Sequence, residues 1–119
     1  MKIAISATGK EMDSILDRRF GRCAYFLIYD TETKEVEAIR NNGAIASGGA
    51  GIAAASQVME KNVEVVLTGN LGPNAFELLE KGEVKAYSCE AVLVSQAIEM
   101  FNQNELTLIA AAGSAHHGM

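Results

Sequence analysis

Three of the four arginines in the 119-residue chain, Arg18, Arg19 and Arg22, fall inside the stretch Asp-Arg-Arg-Phe-Gly-Arg-Cys at residues 17–23. A guanidinium is a planar fork of N–H donors that stays charged at any physiological pH, so the cluster suits carboxylate, phosphate or another multi-oxygen anion. The competing use is pairing with Asp13, Asp17 or other surface acids. Two glycine loops offer anion chemistry of a second kind. Gly48-Gly49-Ala50-Gly51 leads directly into an alanine-rich segment read as a helix, whose first N–H groups and positive dipole end would be available to a ligand. Thr68-Gly69-Asn70-Leu71-Gly72-Pro73-Asn74 leads into another such segment and carries the only proline. Without the lysine of a phosphate-binding P-loop it does not support nucleotide hydrolysis, but a ligand cradle of Gly69, Asn70, Gly72 and Asn74 remains open. Gly49-x-Gly51-x-x-Ala54 loosely matches the dinucleotide fingerprint, yet Asn70 stands where the ribose-binding acid is expected. The same glycines would serve close helix-to-sheet packing equally well.

Soft metal ligands are few. Cys23 and Cys89 are too far apart for a zinc signature, and a lone cysteine is commonly a small buried hydrophobe, but a thiolate suits iron, copper or an iron–sulfur cluster. His116 and His117 sit side by side in the terminal run Ala110–Met119, read as a flexible tail, where they would add imidazole ligands or be solvated ends. The first apolar run offers Ser6 where a two-metal nuclease needs a carboxylate, and no histidine precedes the tail to act as general base. No nucleophile constellation is visible, so the chain is expected not to be an enzyme.

The elements that must position these residues follow from periodicity. Lys2–Ala7, Ala24–Asp30 and Lys34–Asn41 read as strands, the last two close enough to form an antiparallel hairpin. Ala50–Lys61 reads as a helix, Val63–Leu67 as a buried strand, Pro73–Lys81 as a helix closed by Gly82, and Val84–Tyr87 as a short strand. In Ala91–Phe101, Val94, Ala97, Ile98 and Phe101 share one helical face. The order β-β-β-α-β-α-β-α predicts an α/β fold of ribonuclease-H-like type, a mixed five-stranded sheet flanked by helices, in one domain over residues 1–110 with a tail at 111–119. In that topology residues 8–23, 42–51, 68–74 and 88–91 lie at one end of the sheet, where open α/β sheets bind ligands.

Composition sets the outer bounds. Hydrophobic residues make up 49% and charged residues 21%, which excludes disorder, and the net charge of −5 leaves no global footprint for nucleic acid. The longest uncharged window, residues 41–59, is interrupted by asparagines, serines and four glycines and is no membrane helix. Two cysteines are no disulfide scaffold, and no signal peptide is visible at the N-terminus, so a cytoplasmic location is expected. Oligomeric state is open.

Taken together and in order, Asp17-Arg18-Arg19-Phe20-Gly21-Arg22 with Tyr25-Phe26, Gly48-Gly49-Ala50-Gly51-Ile52, and Thr68 to Phe76 resemble the dinitrogenase iron-molybdenum cofactor biosynthesis family over roughly residues 1–110. The resemblance implies a ribonuclease-H-like domain that binds or carries an iron–sulfur or iron–molybdenum type metallocluster in cofactor assembly, as a nitrogen-fixation accessory protein. It would work with a protein that donates or accepts the cluster and without nucleic acid or membrane. Carried over by position, Arg18, Arg19, Arg22, Gly48, Gly49, Gly51, Gly69, Asn70, Gly72 and Asn74 would form the docking face, with Cys23, Cys89, His116 and His117 as candidate metal ligands. An alternative of another class is a small-anion or partner-protein binding module without metal.

Overall fold

A computed structural model describes residues 1–45 and 48–113. The chain runs β1 (Lys2–Ala7), β2 (Tyr25–Asp30), β3 (Val36–Arg40), a 3-10 turn (Asn42–Ile45), α1 (Ala50–Met59), β4 (Val65–Thr68), α2 (Pro73–Lys81), β5 (Lys85–Ser88), α3 (Val94–Asn102) and β6 (Thr107–Leu108). The six strands form one mixed sheet in the order β3-β2-β1-β4-β5-β6. β1, β4 and β5 are parallel, while β2 is antiparallel to β1 and β3, and β6 is antiparallel to β5.

The period-two alternation of the central strands divides the core into two layers. Ala4, Phe26, Ile28 and Val66 point to the face covered by α1 and α2 through Ala54, Ala55, Val58 and Leu79. Ile3, Ile5, Leu27, Val65 and Leu67 point to the other face, covered by α3 through Val94, Ala97 and Ile98. β1, buried along nearly its whole length, is the centre of the sheet, and β3, almost wholly exposed, is an edge. Among the described residues no helix is long and apolar enough to cross a membrane.

Three details depart from the sequence reading. The sheet has six strands rather than five: β6 is only two residues long and exposed, too short to leave a periodic signal, and is fixed by pairing with Tyr87 and Ser88. α3 begins at Val94 rather than Ala91 because the chain before it is held extended against the first rim loop, where Leu16 N–H donates to Val92 O at 2.8 Å and Ile15 bridges Leu93. The hairpin turn spans residues 31–35, organised by the Asp30 carboxylate, which accepts N–H donors from Glu32 and Thr33.

Candidate functional site at the strand-end rim

β1, β4 and β5 end at Ala7, Thr68 and Ser88, and β3 runs parallel to β1 in the sheet. The segments that follow these strands therefore emerge at one end of the molecule. The long first loop is tied down from beneath: Asp17 N–H donates to Ser6 O at 2.9 Å, and Ser6 Oγ donates to Asp17 O at 2.6 Å and lies 2.8 Å from Thr68 Oγ1. Buried Asn41 completes the attachment by donating from Nδ2 to Gly21 O and Cys23 O while its Oδ1 accepts Gly43 N–H. Ser6, Asn41 and Thr68 are thus hydrogen-bonded supports that the sequence reading had not placed in this role. A buried polar side chain at a strand end looks the same in sequence whether it supports a loop or faces solvent.

The loop and the two helices meet closely. Gly51 lets the start of α1 approach Ala75 of α2, where an added Cβ would lie 3.3 Å from the alanine methyl. Gly49, the residue before α1, has φ +70°, the left-handed region that glycine enters without strain. Among the described residues neither α1 nor α2 has a side-chain cap or an acidic residue in its first turn, so no local carboxylate caps their leading N–H groups, which in α2 begin at Asn74 because Pro73 has none. Between them lies a depression of about 350 Å³ lined by Arg19, Phe20, Gly21, Gly49, Gly51, Asn70, Gly72 and Asn74, among others.

The three arginines have separate surroundings. Arg19 Nε and Nη2 donate to the two oxygens of Asp17 at 3.1 and 2.9 Å, and its backbone N–H donates to the same carboxylate at 2.9 Å. Burial alone would raise the Asp17 pKa, but these hydrogen bonds and the adjacent charge hold it below the usual carboxylate value. Arg18 turns away from the depression, pairing with Glu90 at 3.0 Å and crossing over Gly69. Arg22 donates to Ala44 O at 3.2 Å. Gly48 is exposed beside the mouth. Of the ten expected docking residues, Arg19, Gly49, Gly51, Asn70, Gly72 and Asn74 line the depression, while Arg18, Arg22, Gly48 and Gly69 surround or support it.

The two cysteines do not meet. Cys23 is fully buried in the layer beneath α1 and α2, and Cys89 lies in the layer beneath α3. Cys23 Sγ donates to Phe20 O at 3.4 Å, and burial pushes its pKa up to about 12, while burial also raises that of Cys89. Burial thus favours the thiol over the thiolate at both, and the two lie on opposite sides of the sheet, so they do not share one site. Among the described residues no group of three or more His, Cys, Asp or Glu side chains is disposed to hold a metal ion. His116 and His117 lie outside the described residues.

Comparison with known proteins agrees with the fold and names a family. The family described as dinitrogenase iron-molybdenum cofactor matches residues 1–104. An uncharacterized protein of Methanocaldococcus jannaschii is 27% identical over 109 residues, 89% of each chain. The apo form of the orange protein from Desulfovibrio gigas superposes with a TM-score of 0.90 at 34% identity, covering 94% of this chain and 95% of the other. A Thermotoga protein provisionally assigned as NifB superposes with a TM-score of 0.80 at 37% identity, covering 90% and 91%.

Proposed function

The chain belongs to the dinitrogenase iron-molybdenum cofactor family, and from that premise we propose that it binds and carries an anionic iron–sulfur or iron–molybdenum type cluster at the strand-end rim, as cargo and without catalysis on it. The observation that carries this reading is the convergence of two uncapped helix N-termini and the Arg19 guanidinium on one depression. Metal–sulfur clusters are commonly anionic, and backbone N–H groups with arginine complement them. The relative solved as the apo form of the orange protein supports a ligand-bound counterpart. With both cysteines buried and their pKa values raised by that burial, the cargo would be held by hydrogen bonds and charge, with His116 and His117 as the remaining ligand candidates. Gly113 N–H donates to Leu71 O at 2.8 Å, which anchors the chain beside the rim shortly before those histidines. The partner would be a protein that delivers or receives the cluster. The β3-β2-β1-β4-β5 order, in which β2 alone runs antiparallel to the others, supports reading the architecture as ribonuclease-H-like.

The buried thiols favour one competitor, a rim that takes a simple oxyanion without metal. Anaerobic reconstitution with iron, sulfide and molybdate, followed by gel filtration, metal analysis and a visible spectrum, separates the two. Wild type and the Cys23→Ala/Cys89→Ala variant are expected to retain stoichiometric, coloured metal, and Arg19→Ala to lose most of it. A colourless, metal-free wild type whose melting temperature rises with added phosphate or a carboxylate would establish the competitor instead.

A further inference from the structure

Asp17 is an unusual place for a carboxylate. Its side chain is 6% exposed, yet its ion-pair partner, the Arg19 side chain, is 72% exposed. Among the described residues every hydrogen bond that reaches the carboxylate comes from Arg19. The Asp17 backbone is fixed at both N–H and C=O to Ser6 of β1, and its carboxylate is almost wholly enclosed. Arg19 is fixed in turn, because its backbone bridges Asn70 in the loop before α2. An exposed arginine ordinarily samples many rotamers, and holding one still costs entropy that a ligand must otherwise supply on binding.

We propose that Asp17 is the positioning residue of the rim site, holding Arg19 by its Nε and Nη2 edge so that the outer Nη1/Nη2 edge is preset toward a ligand with two adjacent anionic acceptor atoms. This rests on the rim being the anion site. The pairing consumes the side-on edge of the guanidinium, Nε–H and one N–H of Nη2, and leaves one N–H on Nη2 and both on Nη1, so that the end-on edge can still offer one N–H from each terminal nitrogen to a two-acceptor anion. It also fixes the price of the arrangement in charge: Asp17 cancels much of the field of the arginine it orients.

That cancellation gives the test its sign. Replacing Asp17 with asparagine removes a negative charge from the rim, so a site governed by charge alone would bind anions more tightly in Asp17→Asn. A site governed by positioning binds them about five- to tenfold more weakly, the scale of one well-made charge-assisted contact. Molybdate is the probe, titrated calorimetrically into wild type, Asp17→Asn, Arg19→Ala and the double variant, with melting temperature followed alongside. Asp17→Asn is expected to weaken binding, and to have no further effect once Arg19 is alanine. Equal or tighter binding in Asp17→Asn overturns the inference while leaving the rim reading intact. Arg19→Lys keeps the charge without the fork and is expected to bind as weakly as Arg19→Ala, so near-wild-type affinity in that variant also overturns it, whether or not Asp17→Asn folds. If wild type binds no molybdate, the free oxyanion is not a ligand of the rim, cluster carriage is left to the reconstitution, and the positioning role is read from the Arg19 Nε–H resonance instead. That signal is expected to exchange slowly with solvent in wild type and rapidly in Asp17→Asn; equal exchange in both would overturn the inference without any ligand.

Discussion

Burial of Cys23 penalises the thiolate and leaves the thiol untouched, which gives the folded state a pH signature. The ordinary value for the group is 9.0, and burial raises it to about 12 in the folded chain, against smaller opposing hydrogen bonds from Ala7 and Asn41. Between those values the unfolded chain releases its proton and the folded chain keeps it, so the folded state binds more protons and loses stability as pH rises. The contribution is fully present below pH 9 and falls by about 1.4 kcal/mol per pH unit above it. Denaturant midpoints measured from pH 8 to pH 11 are expected to fall more steeply in wild type than in Cys23→Ala, with the difference opening above pH 9; parallel curves would show that the thiol is not held protonated. At this scale the sequence was informative about residue type and silent about partners. The arginine cluster and its acidic neighbour Asp17 are plain in the sequence, but that Arg19 takes Asp17 while Arg18 crosses to Glu90, far along the chain, is decided by which loops meet. Likewise either cysteine could be a ligand or a core residue until the sheet assigns each to a face.

The first rim loop and the loop after β4 are in contact through Gly69. A Cβ placed there would lie 2.5 Å from the Arg18 carbonyl oxygen and collide with its side chain, so glycine is required by close approach. Gly69→Ala must displace the loop backbone, and is expected to destabilise the fold by about 1–3 kcal/mol, the range for overpacking a well-fitted contact. Thermal or denaturant unfolding measures the loss, and a change under about 0.5 kcal/mol, within the scatter of ordinary surface substitutions, would mean the loop yields freely. Where an element carries its own signal, sequence and structure agree to the residue: Lys2–Ala7 is an apolar run ended by a turn, and Pro73–Lys81 opens on proline and closes before glycine. Where a partner sets the boundary, they differ. α3 starts late because residues before it pair with the first loop, and β6 exists only because the edge of β5 is open to it.

Charge is distributed along the molecule according to the direction of the strands. Arg18, Arg19 and Arg22 occupy the rim, and Arg40, the last residue of β3, ends there too, with its guanidinium 5.7 Å from the Tyr25 ring and Lys10 Nζ 6.0 Å from the same ring. Asp30, Glu32, Glu35, Glu60 and Glu83 fall at or near the connections at the opposite end, those joining β2 to β3, α1 to β4 and α2 to β5. The rim also carries Glu11, Asp13, Asp17 and Glu90, so Lys10 and the four arginines leave it about +1, while the rest of a chain of net charge −5 is about −6. Net charge and local charge make opposite predictions for an anionic ligand. If the overall −5 governed the encounter, salt would screen a repulsion and strengthen binding; if the rim governs it, salt screens an attraction and weakens binding. The Debye length falls from about 30 Å at 0.01 M to about 8 Å at 0.15 M, which is the interval over which the distant acids drop out and the adjacent arginines still act. Molybdate affinity is accordingly expected to fall several-fold as sodium chloride rises across that interval, and the salt dependence to flatten in Arg22→Ala, whose charge stands beside the depression without lining it. An affinity that rises with salt would place the ligand elsewhere on the molecule, toward the acidic end or a neutral surface, whatever the family relationship implies.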